Sequence, residues 1–481
     1  MTTASSEADP GESGASPSPT AKVSLAALTA LVIGSMIGGG IFGLPQQMAA
    51  AAAPGPLIIG WIVTGVGMLM LAFVFQRLAV NKPEIDAGIY GYARAGFGDL
   101  VGFSSAWGYW LSAWIGNVGY LVLLMSSIGV FLPGFGAGNT TLAIVVASAV
   151  MWLFHVLILR GIREAAVVNA IVTVGKVLPL LVFVVLGLLA FRLDVFTRDF
   201  WGAAGSGSVI TQVKAMMLVT VWVFIGVEGA SVFSERARSR KDVGRATILG
   251  FMSVLALLLA VNVLSYGIMA RPELAELSDP SLAGVLEAAV GSWGAKFIAL
   301  GLIISLVGAL LSWFLMCAEI MRVPAQEGLM PSVLGRENAK GVPANALWLT
   351  MGLVQAFLIW TRFNASTYTN LILLASSLIL LPYLLSALYQ VLIAVKERRG
   401  QVDLVVGLLG SAYGIWLLYA AGLVYLLYTA VFYLLGVPFF IWARREQGGR
   451  LLKPVEWALV AVFAVLSVIA VIGLATGSLS I

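Results

Sequence analysis

The chain contains one cysteine, Cys317, and one histidine, His155. The first fact excludes a disulfide framework and a cysteine-held metal centre. The second argues against a histidine-ligated metal or a hydrolytic triad. Charge is scarce too: Asp, Glu, Lys and Arg make up 11 % of 481 residues, against about a quarter in soluble domains. The excess of 28 Lys+Arg over 23 Asp+Glu is small and scattered, so no nucleic-acid partner is expected. With no metal cluster and no paired catalytic carboxylates, neither a metal, a cofactor nor an enzymatic role is expected. What fills the space is apolar: 60 % of residues are hydrophobic and the mean hydropathy is +0.99. Lipid is the solvent for most of this chain, which reads as an all-α polytopic membrane protein.

A spanning helix needs roughly 20 mostly apolar residues. Thirteen such stretches can be marked, at 25–52, 56–76, 100–132, 141–159, 165–191, 212–234, 247–270, 288–318, 344–361, 367–394, 404–421, 423–442 and 455–478. Residues 1–22 are polar and rich in Ser, Pro and Gly, without the basic and apolar regions of a cleaved signal, and read as a disordered tail. Placing the N-terminus in the cytoplasm puts 21 Lys and Arg inside and six outside, with Lys176 alone within a span. That asymmetry predicts a multi-pass plasma-membrane protein of bacterial type with a cytoplasmic N-terminus.

Two stretches are interrupted. The first reads ALVIGSMIGGGIFGLPQQ, with Gly38, Gly39 and Gly40 in a row, and the sixth reads VWVFIGVEGAS, with Gly226 and Gly229 around Glu228. Glycine costs about 1 kcal/mol in a helix interior relative to alanine. Close helix packing is the plainer use of small residues, but three in succession predict unwound backbone, tolerable in a bilayer only beside a cavity or inside protein. The breaks fall in the first member of each of two five-span sets, the pattern that marks a transporter site between inverted repeats. Free N–H groups at one half-helix suit a carboxylate, and free carbonyls at the other suit an ammonium.

Ionisable residues at membrane depth point the same way. Glu228 sits inside the sixth break and is a candidate proton-responsive gate. Lys176 lies within the fifth span, either as a fixed or titratable charge or as a partner for a backbone carbonyl. Tyr109, Ser112, Gly116 and Asn117 fall on one face of the third span by helical spacing, and Asn117 needs a hydrogen-bond partner, either a substrate or another helix. Trp222 precedes the second break and Trp313 lies deep in the eighth span, where its face can attract a cation. His155 and Cys317 read as unpartnered structural residues.

Taken in order, IGSMIGGGIFGLP (33–45), YWLSAWIGN (109–117), VWVFIGVEGAS (221–231) and the stretch from SWFLMCAEI to VPANALWLT (312–350) resemble the amino acid–polyamine–organocation superfamily, in its basic amino acid/polyamine antiporter branch. The likeness runs from about Ser24 to Gly448 and is strongest to arginine/ornithine antiporters. It implies a LeuT-type fold of five-plus-five inverted repeats with broken helices 1 and 6 and extra C-terminal helices, about 12–13 spans in all. Residues 23–395 would form the transport core and 396–481 the added helices. The resemblance implies that Gly38, Gly39 and Gly40 hold the substrate's carboxylate and amine with Ser35 beside them. It makes Trp222 a gate, Glu228 the pH-responsive group and Trp313 a stacking surface. Tyr109, Asn117 and Ile225 complete the site, and Lys176 stands where related carriers bind sodium. The Ser376–Ser377 pair matches only loosely. The implied activity is exchange of cationic amino acids, arginine for ornithine in first place, by a monomer or homodimer embedded in the bilayer. A proton-coupled or uniport lysine/arginine permease and an amino acid sensor with little transport are the alternatives.

Overall fold

The computed structural model describes residues 24–85, 88–161, 166–203, 205–228, 240–363, 368–448 and 450–479. The expected tail, Gly229 and the basic residues Arg236 and Arg238 lie outside them. Among the described residues every regular element is helical.

The first apolar stretch is split. Helix α1 (Leu25–Met36) stops, a 3-10 turn covers Gly39–Phe42, and α2 (Leu44–Ala51) resumes. Then come α3 (Pro54–Asn81), α4 (Gly88–Phe97), α5 (Asp99–Gly129), α6 (Thr141–Leu159) and α7 (Ala166–Ala190). A short α8 (Leu193–Thr197) leads to α9 (Val209–Phe224), which ends at the second break. The remainder is α10 (Arg240–Ile268), α11 (Arg271–Ala275), α12 (Ser281–Val290), α13 (Ser292–Gln326), α14 (Ala344–Phe363), α15 (Tyr368–Lys396), α16 (Gln401–Leu434), α17 (Val437–Glu446) and α18 (Pro454–Ala475). Ten helical stretches among the described residues are long and apolar enough to cross a membrane. Two of the thirteen expected spans are the interrupted ones, and two more share the stretch 401–446. They join at Gly422, where φ is 79° and the helical path bends.

The eighth span departs from expectation. Instead of one segment at 288–318, α12 and α13 meet at Gly291, whose φ is 89°, and α13 runs on to Gln326. Hydropathy falls after Cys317 because Glu319 and Arg322 follow. Set one helical turn apart, they pair with each other, so the helix outlasts its apolar stretch.

Helix α5 is buried almost throughout and forms the axis of the bundle. Its tryptophans are core residues: Trp110 donates to the Thr350 hydroxyl at 3.0 Å and Trp107 to the Phe432 carbonyl at 2.9 Å. By contrast α18 exposes Val455, Val462, Val465 and Val468, the composition of a lipid-facing surface. Close approach is set by glycine at the α3–α16 crossing, where a Cβ on Gly67 would stand 2.1 Å from the Tyr413 ring.

Gly67→Ala should therefore lower stability by about 1–3 kcal/mol through overpacking. Gly352→Ala on α14, where a Cβ meets nothing within 4 Å, should be neutral or stabilising by up to about 1 kcal/mol. Thermal unfolding in detergent, followed by tryptophan fluorescence, compares them. Equal midpoints for the two variants would contradict the packing described.

Candidate functional site

The three consecutive glycines are required by their neighbours. A Cβ on Gly38 would stand 2.6 Å from the Tyr120 hydroxyl, one on Gly39 2.7 Å from Leu306, and one on Gly40 2.8 Å from the Trp222 indole. Gly38 is extended, with φ −114° and ψ −163°, so α1 cannot continue. At the second break Ile225 leaves the helical region with ψ 128°. Gly226 takes φ 105°, and a Cβ there would stand 2.6 Å from the Ser35 carbonyl. The unwound stretches thus face each other, and any larger residue at these positions would push them apart.

Between them lies a cavity of about 580 Å³, a volume suited to a small organic ligand. One end is closed by Trp222, whose Nε1 donates to the Tyr368 hydroxyl at 2.9 Å. The Trp222 ring meets Tyr120 edge to face at 5.5 Å. The other end reaches Tyr90, Glu319 and Val323. That end of the bundle carries a set of ion pairs: Lys82 with Glu397, Arg77 with Asp403, Arg94 with both Asp99 and Glu327, and Arg444 with Asp99.

Two buried charges line the cavity. Glu228 accepts from the Tyr109 hydroxyl and the Tyr383 hydroxyl, both at 2.8 Å, and from the Gly226 N–H at 3.1 Å. Lys176 donates from Nζ to the Gly34 carbonyl at 2.6 Å, in the last turn of α1. Each charge is thereby bonded to the backbone of a broken helix.

Of the residues singled out from sequence, Ser35, Gly38, Gly40, Tyr109, Asn117, Lys176, Trp222, Ile225, Glu228 and Trp313 all line this one cavity, and Gly39 lies in the same unwound turn. The Ser35 hydroxyl is committed to the Val32 carbonyl at 2.8 Å. Asn117 has a partner on another helix, donating to the Cys317 thiol at 3.5 Å. That corrects the expectation that Cys317 is unpartnered. His155 has no hydrogen bond to either ring nitrogen and packs against Trp348, with ring centroids 4.1 Å apart. Ser376 and Ser377 are buried, with Ser377 bonded to Leu374 and Thr429, and neither lines the cavity.

Three tyrosines were not read from the sequence. Tyr120 follows Tyr109, Ser112 and Gly116 on the same face of α5, so helical spacing carried a signal for it. Tyr383, beside Pro382 in an apolar run, and Tyr368, at the start of α15, showed only as polar tips at membrane depth.

The amino acid permease family model matches residues 23–477. An arginine/ornithine antiporter of Pseudomonas aeruginosa is 54 % identical, over 96 % of this chain and 98 % of that protein. An L-lysine transport protein of Corynebacterium glutamicum is 43 % identical over 95 % and 96 %, and an arginine/agmatine antiporter of Chlamydia trachomatis is 40 % identical over 88 % and 90 %. A match across nearly the whole helical chain, with both unwound stretches inside it, means that this multi-pass membrane protein belongs to the amino acid permease family.

Proposed function

We propose that the chain exchanges cationic amino acids across the plasma membrane by alternating access, with arginine and ornithine as the preferred pair. The observation that carries this reading is the meeting of two unwound helices, Glu228 and Trp313 around one cavity. Broken backbone at Gly38–Gly40 offers amides to a substrate carboxylate. The Trp313 face attracts a guanidinium or ammonium. The names of the similar proteins, arginine/ornithine antiporter and L-lysine transport protein, support the same substrate class. No covalent step is part of the cycle.

In this reading the N-terminus is cytoplasmic, residues 23–395 carry transport, and 396–481 flank them in a monomer or homodimer. The ion-paired end is then the cytoplasmic one. The cavity opens inward, Trp222 and Tyr368 close the outward path, and Lys176 supplies a fixed charge in place of sodium. Exchange outruns net flux because an empty site leaves backbone groups without partners.

Proteoliposomes loaded with ornithine should take up labelled arginine in choline buffer, one ornithine leaving per arginine, at a rate independent of an imposed potential. Equal uptake into empty vesicles would favour the permease. Binding with no flux in either case would favour the sensor.

Trp313→Ala should weaken binding about two- to thirtyfold, the equivalent of a lost cation–π contact of about 0.5–2 kcal/mol, while Trp313→Phe retains part of it. Isothermal titration of arginine reads both, and equal losses would remove the π-face from recognition. Trp222→Ala should slow turnover more than it weakens binding, and Tyr368→Phe should share the direction at smaller size. Unchanged exchange rates in both would reject the gate.

Glu228→Gln should flatten the pH profile of exchange. Tyr109→Phe and Tyr383→Phe each remove one donor to the carboxylate and should shift that profile without abolishing it. A wild-type profile in Glu228→Gln would place the proton-responsive group elsewhere.

A further inference from the structure

The end of the bundle that Trp222 closes has a second layer beyond it. Helix α2, the C-terminal turn of α5, the 276–280 loop and the start of α15 converge there. The Gln46 backbone N–H donates to the Ser281 hydroxyl at 3.2 Å, and its side-chain amide donates to the Ala275 carbonyl at 3.2 Å. Gln47 Nε2 donates to the Thr369 hydroxyl at 3.3 Å, and Ser126 donates to the Asp279 carbonyl. All of it closes on Gly43. A Cβ at Gly43 would stand 2.8 Å from Asp279 Oδ1, 2.8 Å from Gln47 Nε2 and 3.1 Å from the Tyr368 ring.

Within this plug Asp279 Oδ1 and Gln47 Oε1 are both shielded from solvent and without a hydrogen-bond partner. Among the described residues, the elements around Asp279 bring no free cation to it. Helix α2 and the 3-10 turn before it have no titratable residue, while α5 and α15 bring Tyr120 and Tyr368. On α11 the Arg271 guanidinium is committed to the Ala49 carbonyl, the Ser206 hydroxyl and Asp199. Glu273, Glu276 and Glu287 are exposed. An ionised carboxylate in such a place is costly. A protonated one carries a donor of its own, and the plug holds a second shielded acceptor, Gln47 Oε1, that lacks one.

We propose that Asp279 is a proton-binding site of this plug, holding a proton while the end is closed, as here, and releasing it to water when α2 and the 275–281 segment part. The proposal rests on the alternating-access reading above for the existence of the opened state. Burial pushes the Asp279 carboxyl up to about 7, opposed by the Ser281 N–H that donates to it. Once open to water the group returns to the ordinary carboxylate value of about 4. The raised value belongs to the closed state, so acid favours closure. Below about 4 both states hold the proton and closure carries no penalty. From there to about 7 each pH unit shifts the balance up to tenfold toward the open state, and above that the dependence levels off.

The test uses the full chain in nanodiscs, spin-labelled at Ala50→Cys on α2 and Glu276→Cys in the 275–281 segment, exposed positions on the two elements that part. The background is Cys317→Ser, which keeps an acceptor for Asn117. Distance distributions are recorded from acid to mildly alkaline pH. The wild-type ratio of wide to narrow populations should rise up to tenfold per unit before levelling near neutrality. Asp279→Asn, which mimics the protonated form, should stay narrow with no pH slope, and Glu228→Gln should keep the wild-type slope. Infrared difference spectra provide a readout that does not depend on motion: a protonated-carboxyl band present in wild type should be missing in Asp279→Asn. A pH slope retained in Asp279→Asn, a flat wild-type ratio, or no such band would each overturn the assignment. Counter-transport by the same samples separates the two readings. A protein that shows the slope but exchanges nothing overturns the exchange function and leaves the proton site standing.

Discussion

The structure depends on one constraint: within a bilayer, backbone that leaves the helix must find its partners inside the protein. At Gly38–Gly40 it does so by pressing against side chains. Tyr120, Leu306 and Trp222 approach so closely that no Cβ fits, and they come from α5, α13 and α9. The break therefore dictates where three other helices stand. The cavity is the space left where these elements converge but do not fill, and Gly226, confined by the Ser35 carbonyl, fixes the facing wall.

The same constraint accounts for the two buried charges. A lone ion at membrane depth is expensive, and both Lys176 and Glu228 are placed where broken backbone needs them. The ammonium bonds a carbonyl in the last turn of α1, the electronegative end of that half-helix. The carboxylate bonds the amide of Gly226, just past the end of α9, and two tyrosine hydroxyls donate to it as well. Removing either charge would leave unwound backbone with one partner fewer. That ties the stability of the breaks to the two charged side chains that line the cavity.

Much of this was legible in the chain. Thirteen apolar stretches, the run of three glycines and the IGVEG motif located the spans and both breaks, because lipid imposes length and glycine marks unwinding. The junction at Gly422 fell between two expected spans for the same reason. Contacts between distant segments were less legible. Asn117 alone could not announce Cys317, 200 positions away, and Tyr383 looked like one more residue of a buried helix. The extent of α13 was misjudged because hydropathy tracks lipid contact, whereas the Glu319–Arg322 pair lets a helix continue beyond the bilayer. Asp279 lies in a short polar loop, and only the folded arrangement puts Gly43 against it.

The two ends of the bundle are held by different chemistry, and that difference bears on which end yields first. The mouth of the cavity is bordered by partly exposed ion pairs between helix ends, each worth about 0–1 kcal/mol and weakened by salt. They tie helices together around an opening without filling it. The closed end relies on neutral hydrogen bonds, Trp222 to Tyr368, Gln46 to Ser281 and Ala275, and Gln47 to Thr369, each about 0.5–1.5 kcal/mol net. When that end opens, water replaces most of these bonds, while the aliphatic side chains buried beside them, Leu44 and Met48 of α2 and Leu274 of α11, must part as well. A carrier needs states separated by only a few kcal/mol if substrate binding is to move it between them. The hydrogen-bonded part of the plug helps to meet that requirement, because water takes over its bonds when the end opens.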